Sequence, residues 1–208
     1  MSYRRFKMPE LKREFGLAEE KRTSLFHDIT PVEPSNWLKT TLAAGRKMPL
    51  VSEKAKSEFL VAPILTELCL RTDSAFGVFS GIALDADKKA HLNGECDFIL
   101  SDKNTFSLES SVFALVEAKK DDLEDAVPQC AAQMLAARIF NGNDENQAIY
   151  GCVTNTNEWQ FLKLDKKTII IDRDTYYFNQ LPTILGIIIH IIGQYVDLPE
   201  LAAEPILT

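Results

Sequence analysis

Leu92-Asn93-Gly94-Glu95-Cys96-Asp97-Phe98-Ile99-Leu100 and Val112-Phe113-Ala114-Leu115-Val116-Glu117-Ala118-Lys119-Lys120 are the two stretches whose reading decides the fold. Each is an apolar run of strand length that carries charge where a buried strand should have none. Successive side chains of a strand alternate faces, so Glu117 and Lys119 point one way, with Ala118 and Lys120 opposite. Ser101-Asp102-Lys103-Asn104 is a turn signal between the two runs, which predicts antiparallel neighbours and brings Asp97 beside the Glu117 end of its partner.

Working outward, Phe76–Leu84 is a third strand candidate before this pair, and Ser52 to Leu70 is a helix before that. Phe59, Leu60, Ile64, Leu65 and Leu68 recur there at helical spacing, with Ser52 as N-cap and Pro63 as a kink. After the pair, a second helix starts near Asp125 to Pro128, runs to Phe140 and closes at Asn141-Gly142. Gln147–Thr154 reads as a buried strand, Glu158–Leu164 and Thr168–Asp172 as a hairpin, and Thr183–Val196 as a final helix. Residues 1–50 read as an accessory region. They hold a short charged helix within Pro9–Arg22, a Pro-containing linker at Thr30–Pro34, and a helix over Asn36–Ala44 capped by Ser35 and ended by Gly45. The main domain is expected over 51–208, an α/β fold in which helix, three strands, helix and strand follow one another around a central mixed sheet.

The chain has 208 residues, 46% hydrophobic and 25% charged, ordinary values for one globular domain. Cys69, Cys96, Cys130 and Cys152 lie at wide, irregular spacing with no C-x-x-C pair, which argues against a zinc site or a disulfide framework and for reduced thiols in a cytoplasmic protein. The longest apolar run, Ile184 to Ile192, is about half the length of a membrane span. It suits a central helix or the seam of a homodimer, and no membrane partner is expected. The net charge of −7 weighs against nucleic-acid binding by bulk electrostatics.

The chemistry suggested by Asp97, Glu117 and Lys119 is phosphodiester hydrolysis. That reaction builds charge on phosphate and leaving-group oxygens, which a divalent cation offsets while lowering the pKa of an attacking water. Magnesium asks for only one or two carboxylates beyond water and substrate oxygens. Asp97 and Glu117 are the expected metal acids, and Lys119 is placed to orient the water. The first helix offers a further acid, Glu58 ahead of Glu53 and Glu67. Gln129 and Gln133, four residues apart on the second helix, share one face and are placed to bind a phosphate or to hold an active-site carboxylate.

Asp97, then Glu117-Ala118-Lys119 after nineteen residues, within that element order, resembles the PD-(D/E)XK nuclease superfamily, the restriction-endonuclease-like fold. Gln129 matches a glutamine found in several branches. Gly151-Cys152-Val153-Thr154-Asn155-Thr156-Asn157-Glu158-Trp159 is similar to a strand pair in the N-terminal domain of type I restriction-enzyme R subunits, so the nearest likeness is to a bacterial, cyanobacterial-style subgroup near them. The resemblance spans residues 52 to 172 and departs from the motif name at Cys96, which stands in place of its proline. It implies Asp97, Glu117 and Glu58 as metal ligands, Lys119 as the motif lysine, Gln129 as a helper, Mg2+ with Mn2+ as a substitute, and a nucleic-acid substrate, DNA in the first instance. The competing expectation is a non-catalytic module that keeps this fold to bind a protein or nucleic-acid partner.

Overall fold

Seven strands form one open mixed sheet between two helical layers in the computed structural model, which describes residues 3–21, 23–108, 111–119 and 122–205. In chain order a 3-10 turn, Tyr3–Arg5 (a second, Phe178–Gln180, precedes the last helix), leads to α1 (Met8–Phe15), β1 (Ala18–Glu20), α2 (Asn36–Gly45), α3 (Glu53–Lys56), a π-helical segment (Ser57–Val61) and α4 (Ala62–Arg71). Then come β2 (Gly77–Ala83), β3 (Glu95–Ser101), β4 (Val112–Ala118), α5 (Val127–Phe140), β5 (Ile149–Thr154), β6 (Glu158–Asp165), β7 (Thr168–Tyr177) and α6 (Leu181–Ile192). The sheet order is β1-β7-β6-β5-β4-β3-β2. β4 and β5 run parallel, as do β1 and β7, and the other neighbours are antiparallel. A parallel pair needs a long crossover, and α5 supplies it between β4 and β5.

β4 is buried along its whole length, consistent with its continuous apolar run at the middle of a covered sheet. One face of the sheet packs Leu38 and Leu42 of α2, Ile64, Leu65 and Leu68 of α4, and the isoleucines of α6. The other face packs α5 together with Tyr3, Phe6 and Leu11. Residues 1–50, read from the sequence as an accessory region, therefore contribute to both apolar layers and add an edge strand.

Several boundaries differ from the sequence reading for identifiable reasons. The first charged helix stops at Phe15 because Gly16 turns left-handed, with φ 66°, and Ala18–Glu20 leaves in extended form to pair with β7. The helix over 53–71 is interrupted rather than simply kinked. Pro63 has no N–H to give the Phe59 carbonyl, and the Ala62 N–H reaches back five residues to Ser57. The Phe59 carbonyl instead sits where a Cβ on Gly45 would stand, so only glycine admits this approach of α2. β7 runs on to Tyr177 through Asp172-Arg173-Asp174, which reads as a stop. The buried Asp172 carboxylate accepts from Leu25 N–H, Asp174 N–H and the Tyr176 hydroxyl, so its charge is matched by donors. α6 ends at Ile192 before Gly193, and Ile184, Ile187, Ile188 and Ile191 are buried within this chain. Among the described residues no helix is long and apolar enough to cross a membrane.

Candidate active site

The β3–β4 ladder ends at the Phe98–Val116 pair, one residue before Asp97 would face Glu117. There Oδ2 of Asp97 takes over, accepting the Ala118 N–H at 2.7 Å. The strands stay together while their two acids come to one sheet end, on the α5 side. The turn between the strands leaves Ser101 and Asp102 close to the other end, so the antiparallel reading and the meeting of Asp97 with Glu117 are both found. Lys120 lies outside the described residues.

Glu117 is 2% exposed and takes three donors, which leaves Oε2 room for one further partner. Its Oε1 accepts from Lys119 Nζ at 2.8 Å and from Gln129 Nε2, and its Oε2 accepts from Gln133 Nε2 at 2.8 Å. Lys119 Nζ also donates to Gln129 Oε1 at 3.1 Å. Glu117 and Lys119 thus share a face, and the two glutamines of α5 hold the carboxylate in place. Their burial follows from the position of α5, which lies between the sheet and the segment formed by Tyr3–Arg5 and α1. An amide buried there needs a partner, and Glu117 is the acceptor in reach.

Asp97 is set differently from Glu117. Burial, and after it the charge of Glu117, pushes its carboxyl up to about 6, against the pull of the Ala118 amide and Lys119. Glu53, at the start of α3, adds to the upward push, so a third acid stands near the pair. It is not the acid favoured from sequence. Glu58 is 56% exposed at its side chain and lies 3.7 Å from Lys54. Glu67 is fully buried on another part of the molecule, paired with Arg71 at 3.0 Å. Helical spacing marks all three as one helix's acids, but the interruption at Ser57–Val61 and the fold of α3 against β4 decide which of them approaches the sheet end.

Tyr3, Arg4, Gly94, Glu95, Asp97, Glu117 and Gln129 line a cleft of about 130 Å3 at this point. Arg4, on the wall of this cleft, bonds Glu53 Oε2 through Nη2 at 2.9 Å. Tyr3 and Arg4 carry no motif at the sequence level, and only contact places them here. A larger groove of about 460 Å3 lies past the N-terminus of α5, bounded by Pro128, Gln160 and Tyr177. Its charged lining is four acids, Glu19, Asp122, Glu124 and Glu158, with Lys21 and Arg173, and neither of the strand-borne acids Asp97 and Glu117 reaches it. Cys96, in the place of the motif proline, is buried, and burial followed by the charge of Glu117 raises its thiol, so it stays protonated beside the acids.

Among the described residues no group of three or more His, Cys, Asp or Glu side chains gathers as a metal cage. What the site offers is a carboxylate pair with hard oxygen donors, one member of which is raised by burial and then by the charge of the other. That donor set fits magnesium or manganese, which take one or two protein carboxylates and complete their shells with water and substrate. No family model matches this chain, and no curated protein or solved structure matches it either.

Proposed function

We propose that this chain is a magnesium-dependent phosphodiesterase acting on nucleic acid, DNA in the first instance, with manganese able to replace magnesium. The observation that carries this reading is the pairing of Asp97 and Glu117 in one cleft, with Lys119 bonded alongside; burial, and after it the charge of Glu117, raises Asp97. The order α4-β2-β3-β4-α5-β5, with the acids at adjoining ends of β3 and β4, supports the restriction-endonuclease-like assignment.

A bound divalent cation supplies the positive charge that hydrolysis needs and makes its water more acidic. Asp97 and Glu117 hold that charge at the sheet end. Gln129 and Gln133 fix the Glu117 carboxylate so that its direction does not change as charge moves nearby. Lys119 keeps its ammonium between Glu117 and Gln129, where it steers a water and offsets charge on the phosphate oxygens. Glu53, at the start of α3, adds a third negative charge close to the pair.

A second reading rests on two observations: three donors already bond Glu117, as in a structural cluster, and the chain carries a net charge of −7. On that reading the domain binds a partner and cleaves nothing. Cleavage of single-stranded, duplex and branched DNA and RNA with Mg2+ and then Mn2+, by the parent and by Lys119→Ala, separates the two. The catalytic reading expects activity in the parent and its loss in the variant. Equal cleavage by both proteins rejects the assignment of Lys119, and a folded parent with neither Mg2+ affinity nor cleavage favours the binding module.

A further inference from the structure

The cleft has an electrostatic problem that its core residues do not solve. Of the described residues lining it, Glu95, Asp97 and Glu117 are acids and Arg4 is the one cation. Lys119 is bonded to Glu117 and Gln129 and its side chain is only 11% exposed, so whatever it does to a bound substrate, it does not reach out to meet one approaching from solvent. A polyanion approaching from solvent meets carboxylates first unless a cation stands at the mouth.

Arg4 stands there, and its backbone is pinned from both sides. The Tyr3 hydroxyl donates to the Leu84 carbonyl, and the Tyr3 ring is 2% exposed. Phe6 is equally buried and meets Phe15 edge-on with ring centroids 5.8 Å apart. Between these anchors the Arg4 side chain stays 49% exposed on the cleft wall, with its head paired to Glu53. An ion pair this exposed contributes little to stability, so folding alone gives no reason for the placement. A guanidinium presents a planar fork of donors that suits phosphate oxygens.

We propose that Arg4 is a phosphate-binding residue of this site, engaging a substrate phosphodiester at the mouth of the cleft while Glu53 aims the guanidinium. The inference rests on the phosphodiesterase reading and adds to it a contact from outside the strand-borne motif. It implies that the segment before α1 takes part in substrate binding.

The experiment measures binding of fluorescein-labelled single-stranded and duplex DNA oligonucleotides by anisotropy over a salt series with Mg2+ present. Lys119→Ala serves as the cleavage-blocked parent and is compared with the same protein carrying Arg4→Ala or Arg4→Lys. Loss of one phosphate contact is expected to weaken binding about tenfold with Arg4→Ala and to make the slope of log affinity against log salt shallower by about 0.7–0.9. Arg4→Lys is expected to restore the slope but not the full affinity, because an ammonium keeps the charge and loses the fork. Thermal unfolding checks that each variant is folded, and a purely structural role for Arg4 would leave the slope unmoved. An unchanged slope overturns the proposal, and so does tighter binding, which would make Arg4 a plug. If the slope changes while the unblocked parent cleaves nothing, Arg4 stands and the hydrolytic reading falls. Cleavage by the parent with an unmoved slope does the reverse, and absence of oligonucleotide binding altogether overturns both.

Discussion

Glu67 with Arg71 and Glu117 with Lys119 are two buried acid–base pairs of nearly the same make-up in opposite settings. Glu67 Oε1 accepts from Arg71 Nη1 and the Ser35 N–H, its Oε2 accepts from the Ser35 hydroxyl, and Arg71 goes on to the carbonyls of Glu33 and Ala202. The pair closes on itself and ties the linker before α2 and the segment after α6 to α4. Glu117 is as well bonded, but it has a second carboxylate beside it, a third close by, and a cleft in front. Burial and ion pairing are common to both sites. Surplus negative charge facing an opening belongs only to one, and that surplus is what a divalent cation answers.

The comparison is sharpest when each acid is removed in turn. Glu117→Gln is expected to reduce Mg2+-dependent cleavage about 10^3-fold or more, a loss that acts on the reaction, while the fold survives because Asp97 remains beside Lys119 as a counter-charge. Glu67→Gln should do the opposite, leaving Arg71 buried without its counter-charge at a cost of roughly 3–5 kcal/mol in chemical unfolding, with cleavage per folded molecule retained. Exchange of these two phenotypes would dissolve the distinction.

Protonation gives a second, smaller contrast. In the folded chain Asp97 holds its proton up to about pH 6, whereas an unfolded aspartate releases it near ~4, so the folded state binds the extra proton between those values. Stability therefore falls as pH rises through that window, by roughly 1–3 kcal/mol, and Asp97→Asn should flatten the fall in urea unfolding measured at pH 4.5 and 7. On the proposed function, activity runs the other way: a proton on Asp97 competes with the cation, so cleavage is expected to fall as pH is lowered and to be restored by added Mg2+. A parent and Asp97→Asn with parallel stability profiles would refute the coupling.

The smallest effects separate the acids of the interrupted helix. Glu53→Gln should slow cleavage about tenfold, because it removes a charge felt at Asp97. Glu58→Gln should leave cleavage within about twofold and stability within ~0.5 kcal/mol, as for other exposed positions. Steady-state rates and melting curves on the two variants are enough to reverse that order if it is wrong.

Alternation along β3 and β4 makes Asp97, Glu117 and Lys119 legible in the sequence itself, because a period of two leaves no freedom about faces once the strands are assigned. Gln129 and Gln133 are legible as a pair through helical spacing, with holding a carboxylate as one of two expected roles, and it is the role found. The choice among Glu53, Glu58 and Glu67 is not legible, because it turns on a carbonyl left without a donor by Pro63 and received at Gly45. Tyr3 and Arg4 are beyond reach for a different reason. Their place is set by packing against α5 and Leu84, partners more than eighty residues away, and no local pattern encodes a contact of that span. The same holds for β1, whose three residues Ala-Glu-Glu are poor strand formers and pair only because β7 offers an open edge.

That edge pairing also carries a kinetic consequence. Ala18 lies opposite Thr168, about 150 residues later in the chain, and the Leu25 amide waits for Asp172 over a similar distance. Closing so wide a loop adds little to the entropy of folding, since that cost grows only logarithmically with length, but it favours slow acquisition of structure. During synthesis on a ribosome, α1 and β1 leave the exit tunnel long before β7 exists to receive them. Native docking of this early segment is therefore completed only after translation has passed the final hairpin.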